Sequence, residues 1–123
     1  ILIIVRALTD EEIQLLFSCA ERAGLDSIFE IHNEEDLERA IRTGARIIGV
    51  NNRNLATFST DLALSETLIP KIPESCASIA ESGIFTIDDL RRVKAAGAQS
   101  VLIGQALMQH ADPGAFIHEI HSL

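Results

Sequence analysis

Five short apolar runs punctuate the chain, at residues 1–5, 27–31, 47–50, 76–80 and 100–103. Within each run apolar residues follow one another, without the alternation of a half-exposed strand. Short continuous runs bounded by turn residues predict parallel strands buried on both faces. Between the runs the period changes. In NEEDLERAIRTG, Leu37, Ala40 and Ile41 fall on one helical face and charged residues occupy the rest. Helix starts are marked by Thr9 or Asp10 ahead of Glu11 and Glu12, by Asn33, by Thr86 ahead of Asp88 and Asp89, and by Asp112-Pro113. A third helix is expected over 61–69, before Pro70. Gly24, Gly44 and Gly97 each end a helical stretch, where left-handed backbone costs glycine little. The order is βα repeated five times, which predicts an α/β fold with a parallel sheet.

Two architectures accommodate that order: an open doubly wound sheet, or part of an eightfold βα barrel. No GxGxxG loop opens the first helix, which weighs against dinucleotide binding. In both architectures ligands sit at the carboxyl ends of the strands. Those ends carry Arg6, then Glu30 with His32, then Asn51 with Arg53, then Glu81-Ser82-Gly83, then Gly104-Gln105. The stretch RIIGVNNRNL breaks from apolar to polar at Asn51, which by itself suits an ordinary turn. ESGI and VLIGQALM place glycines after the last two strands, where barrels often bind phosphate through backbone N–H groups. The N–H groups of Gly83, Gly104 and Gln105 are expected to converge on one anion. Each glycine alone would be an ordinary turn.

Glu30 is either a solvated strand-end carboxylate or, with inward parity, a partly buried acid–base group at a barrel mouth. His32 reads as a loop residue before the Asn33 cap. His110, His118 and His121 lack the spacing of metal ligands and read as surface residues.

Composition narrows the class. The 123 residues suit one domain or part of one, and 47% hydrophobic content without Trp or Tyr predicts an aliphatic core. The net charge of −8 argues against nucleic-acid or anionic-membrane partners. The opening ILIIV is far too short to span a bilayer and has no basic flank. Cys19 and Cys76 lack CxxC spacing, sit in apolar stretches and are expected as buried free thiols in a reducing compartment. The chain opens without Met inside an expected strand, so the polypeptide is expected to begin further upstream.

Taken together, FEIHNEEDLERAI, GARIIGVNNRNL, ESGI and VLIGQALM resemble the C-terminal half of the indole-3-glycerol-phosphate synthases. The resemblance covers the whole chain from that family's fourth barrel strand onward. It implies a TIM-type (β/α) barrel, present here as five βα units, with 1–123 as the C-terminal portion of a single (β/α)8 domain. It implies a cytoplasmic lyase of tryptophan biosynthesis. That enzyme closes the indole ring of phosphorylated 1-(2-carboxyphenylamino)-1-deoxyribulose with loss of CO₂ and water, using no metal or organic cofactor. By resemblance Glu30 handles protons during dehydration, Asn51 holds substrate, and Arg53 pairs with the substrate carboxylate or orients its loop. Glu81 and Ser82 support the sugar end, while Gly83, Gly104 and Gln105 bind phosphate.

The family draws two catalytic lysines and a further glutamate from its first and third strands, outside the stretch matched here. Lys71 and Lys94 end no strand and cannot replace them. The chain alone is therefore expected to be inactive and to self-associate. The alternatives are a non-catalytic half-barrel that binds phosphorylated ligands, or another phosphate-binding barrel such as phosphoribosylanthranilate isomerase. GVNNRNL argues against the isomerase.

Overall fold

The computed structural model describes residues 1–123. Strands β1 (Leu2–Ile4), β2 (Ile28–Ile31), β3 (Ile47–Asn51), β4 (Ala77–Glu81) and β5 (Ser100–Leu102) form one parallel sheet in sequence order. The helices are α1 (Asp10–Ala23), α2 (Glu34–Thr43), α3 (Ala63–Leu68), α4 (Ile87–Ala95), α5 (Gln105–Gln109) and α6 (Pro113–His121). Parallel strands in unbroken order with right-handed crossovers put their helices on one face of the sheet. A doubly wound sheet would reverse its order partway and be covered on both faces. The fold is thus a partial TIM-type barrel of five βα units.

Strand register sorts the side chains into two faces. Ile3, Phe29, Ile48 and Ser78 lie abreast, as do Ile31, Val50, Ala80 and Val101. These rows face the helices and meet Ile13, Leu37, Ala40, Leu68, Leu90 and Val93 in the core. Each fully buried Ile, Leu or Phe there contributes about 1.5–3 kcal/mol relative to exposure. The opposite parity forms the concave face. Its rows are Leu2–Ile28–Ile47–Ala77, Ile4–Glu30–Gly49–Ile79–Ser100 and Asn51–Glu81–Leu102.

Local signals act as their chemistry requires. Thr9 and Glu12 form a reciprocal capping box, as do Thr86 and Asp89. Asn33 and Asp112 cap α2 and α6 by accepting from Asp36 N and Ala115 N. Gly24 and Gly44 end α1 and α2 in left-handed backbone, at φ +70° and +95°. The third helix is shorter than its expected span. It covers Ala63–Leu68, and a 3₁₀ turn at Ile69–Lys71 absorbs Pro70.

The thiols depart from expectation. Cys19 is exposed, because Ile13, Phe17 and Ala20 define the inner face of α1 and residue 19 lies off it. Its Sγ lies 3.2 Å from Arg22 Nη2. Cys76 is half-buried and directs its thiol to the Ala45 carbonyl at 3.2 Å.

Candidate active site at the carboxyl ends of the strands

Glu30 and Glu81 share the concave face, two strands apart, with Gly49 of β3 between them in the sheet. Both carboxylates are buried, at 5% and 3% residue exposure. Glu81 reaches across β3 through the space that glycine leaves. A Cβ at position 49 would sit 1.8 Å from Glu81 Oε1 and 2.8 Å from its Cδ. Burial pushes the Glu81 carboxyl up to about 7, and the Glu30 charge and a hydrogen bond with Glu30 add to the rise. Two carboxyls in one desolvated place cannot both ionise cheaply, so the pair holds a proton near neutral pH. No donor within the chain reaches Glu81 Oε1. Sequence reading missed Gly49, whose lack of a side chain lets Glu81 cross β3: in GVNN it looks like one more strand glycine.

The burial of His32 is a second omission. This histidine is the loop residue before the Asn33 cap, as expected, but it is buried against Glu30, with Nε2 3.4 Å from Glu30 Oε1. Its backbone N–H donates to Asp36 Oδ2 at 2.9 Å, which ties the peptide before the cap to the first turn of α2. Burial lowers its pKa most; the Glu30 and Asp36 charges oppose that, and Arg6 reinforces it. The spacing HNEED carried the signal, since an acid three residues after an Asn cap can reach back to the peptide before it. The other three histidines are exposed.

The polar run after β3 divides by parity and by partner. Asn51 continues the concave row beside Glu81, and its Oδ1 accepts from Arg53 N at 3.0 Å. Asn52 is buried and acts as a clamp between loops. Its Nδ2 donates to the Glu81 and Ser82 carbonyls, both at 3.1 Å, and its Oδ1 accepts from Ser65 N at 3.0 Å. Asn54 shapes the turn by accepting from Ala56 N and Thr57 N. Arg53 donates to the Phe58 carbonyl at 3.0 Å and to Gln105 Oε1 at 2.9 Å. Its guanidinium thus ties the β3 loop to the start of α5.

Beyond β4, Ser82 and Gly83 both adopt left-handed backbone, at φ +64° and +73°. Gly83 packs so closely that an added Cβ would lie 3.0 Å from Thr60 Cβ. Ser82 N donates to the Leu102 carbonyl at 3.4 Å, which brings the ends of β4 and β5 together. Gly104 and Gln105 follow β5, exposed, at the entry to α5. No acceptor within the chain engages the N–H groups of Gly83, Gly104 or Gln105. The structure therefore gathers Glu30, Asn51 and Glu81 on one concave surface and sets Ser82, Gly83, Gly104 and Gln105 along its rim. Arg53 is turned toward Gln105. Lys71 pairs with Glu34, and Lys94 donates to the Leu123 carbonyl. No three His, Cys, Asp or Glu side chains are grouped to hold a metal ion. No helix is long and apolar enough to cross a membrane.

A one-sided βα sheet with a buried carboxyl pair at the carboxyl ends of its strands defines a (β/α)-barrel segment, with the pair where such folds hold their ligands. The chain belongs to the indole-3-glycerol phosphate synthase family, whose model matches residues 1–120. The indole-3-glycerol phosphate synthase of Opitutus terrae is 61% identical over 122 residues, covering 99% of this chain and 46% of that protein. Those of Bacillus cereus and Dehalococcoides mccartyi are 44% and 42% identical over 120 residues, with 97% and 98% of this chain covered. The chain spans about half the length of these relatives, 46–47%. Among solved structures, mandelate oxidase with benzoyl-formic acid superposes with TM-score 0.69 at 22% identity, over 93% of this chain and 35% of that one. The Amycolatopsis orientalis BexX/CysO complex gives 0.65 at 19%, over 85% and 42%. At such identities these two likenesses show the fold alone.

Proposed function

We propose that residues 1–123 supply the C-terminal portion of a (β/α)8 indole-3-glycerol-phosphate synthase. That enzyme closes the indole ring of phosphorylated 1-(2-carboxyphenylamino)-1-deoxyribulose with loss of CO₂ and water. The observation that carries the reading is the Glu30–Glu81 pair beside Asn51. The dehydration must move protons at a developing alkene and a departing hydroxyl. A carboxyl poised near neutrality, hydrogen-bonded to a second carboxyl, suits that task. Glu30 and Glu81 handle the protons, Asn51 orients the substrate, and Ser82 holds the sugar end. Gly83, Gly104 and Gln105 present N–H groups to the phosphate, and Arg53 orders the loop that closes over them.

The open face supports the domain reading. Leu2 and Leu102 stand 52% and 53% exposed on the concave side of the two edge strands. An apolar groove of about 550 Å³ beside β5 is lined by Val93, Val101, Leu107, Ile117 and Ile120. Further βα units would cover both. The activity belongs in the cytoplasm, which suits two unpaired thiols.

The test is a chimera joining residues 1–123 to the part of the Opitutus terrae relative outside the matched stretch. Formation of indole-glycerol phosphate, followed by fluorescence, is expected. Glu30→Gln and Glu81→Gln should each lower kcat about 10²–10⁴-fold. An active chimera indifferent to both substitutions would refute the assignment.

A further inference from the structure

We propose that His32 is a positioning residue: its Nε2–H holds the Glu30 carboxylate and so leaves the proton of the carboxyl pair on Glu81. The contact stands on geometry alone, whereas its use in acid–base chemistry rests on the synthase reading.

The His32 side chain is 4% exposed, and neither ring nitrogen has a hydrogen-bond partner. A buried polar group left unsatisfied costs roughly tenfold or more in the folding constant, so the ring has reason to pair. Burial and Arg6 favour the neutral imidazole. A neutral ring has one N–H and one lone pair, so it can serve only one of the two carboxylates that flank it. The Asp36 carboxylate is the poorer acceptor. Its Oδ2 lies 4.0 Å from Nδ1 and already receives the His32 backbone N–H. Glu30 Oε1 lies 3.4 Å from Nε2. Rotation about the imidazole's broad terminal torsion closes that gap at little cost.

The charged and titratable neighbours come from four elements. They are Arg6 in the 3₁₀ turn after β1, Glu30 on β2, Asp36 on α2, and Glu81 on β4 through Glu30. Glu30 therefore stands between an N–H donor and a second carboxyl. A donor on Glu30 stabilises its charged form. The proton then resides on Glu81, whose Oε1 has no competing partner.

Isotope-edited NMR of the imidazole nitrogens in the 123-residue chain reads the tautomer directly. Protonation at Nε2 is expected, and a proton on Nδ1 facing Asp36 would overturn the proposal. Carboxyl NMR titrations give a second readout. In wild type and in His32→Gln, which retains a donor, Glu81 should carry a transition near pH 7. In His32→Leu the Glu81 transition should be displaced by about one pH unit. An unchanged pattern in His32→Leu would also overturn it. Should that variant not fold, a double-mutant cycle of His32→Asn with Glu30→Gln decides by urea unfolding. Coupling of about tenfold in the unfolding constant is expected, and additivity overturns the contact. None of these readouts depends on turnover, so an inactive chimera would reject the synthase reading and leave this test intact.

Discussion

Substituting Gly49 by Ala places one methyl group where the Glu81 carboxyl lies. The new Cβ would be 1.8 Å from Oε1, 2.8 Å from Cδ and 3.3 Å from Ile28 Cγ2. Backbone at position 49 is held by β2 on one side and β4 on the other. The carboxyl must therefore give way, out of its buried place and toward the open concave face. Its pKa should fall from about 7 toward the ordinary 4.5, because burial is the largest cause of the rise and Glu30 the next. The sign for stability follows. A carboxyl whose folded pKa is raised binds its proton more tightly when folded. Its stabilisation is complete below about pH 4.5 and is lost as pH climbs through about 7. The loss is on the order of 2 kcal/mol, after discounting for solvent on the open face. His32 opposes this in part: with its pKa lowered below 6.5 by burial, it adds stability as pH rises through that range. The informative quantity is accordingly the difference between wild type and Gly49→Ala. Urea unfolding from pH 4 to 8 should show wild type losing stability relative to the variant across this window. A carboxyl NMR titration should place the Glu81 transition of the variant below 6. If Gly49→Ala leaves the Glu81 titration near 7, the crossing over β3 does not hold Glu81 in place and the argument fails.

Asn52→Ala removes a buried side chain with three hydrogen bonds and strips partners from the Glu81 and Ser82 carbonyls and from Ser65 N. It should cost about 2–4 kcal/mol in urea unfolding, while Asn54→Ala, on an exposed turn, should cost under about 1 kcal/mol. Inorganic phosphate should bind weakly and shift the amide resonances of Gly83, Gly104 and Gln105; shifts confined to other regions would reject that site. The 123-residue chain alone should show no turnover in the fluorescence assay and should self-associate by light scattering, because Leu2 and Leu102 flank an uncovered face between two unpaired edges. A monomer that converts substrate would refute both expectations.

Much of this molecule is written locally. The continuity of the Ile, Val and Ala runs specifies strands covered on both faces, and the observed strands agree with those runs to within two residues at each end. Thr9, Asn33, Thr86 and Asp112 cap helices because the bonds they make span three residues, a distance any nearby sequence window contains. Period-two parity puts Glu30 and Asn51 on the face opposite Phe29 and Val50, and the assembled sheet shows that face to be the concave one. What the chain could not disclose on its own lies across strands. The Glu30–Glu81 contact joins residues 51 positions apart. It depends on β2, β3 and β4 pairing in one register with a glycine between the two carboxyls. The same limit hid the burial of His32 against Glu30 and the turn of Arg53 toward Gln105. Local sequence determines which residues stand at strand ends and which of them share a face, because backbone periodicity and capping are short-range. Which of them meet, and how far their protonation is displaced, is decided only when the sheet assembles, because desolvation and charge–charge coupling depend on every neighbour that packing supplies.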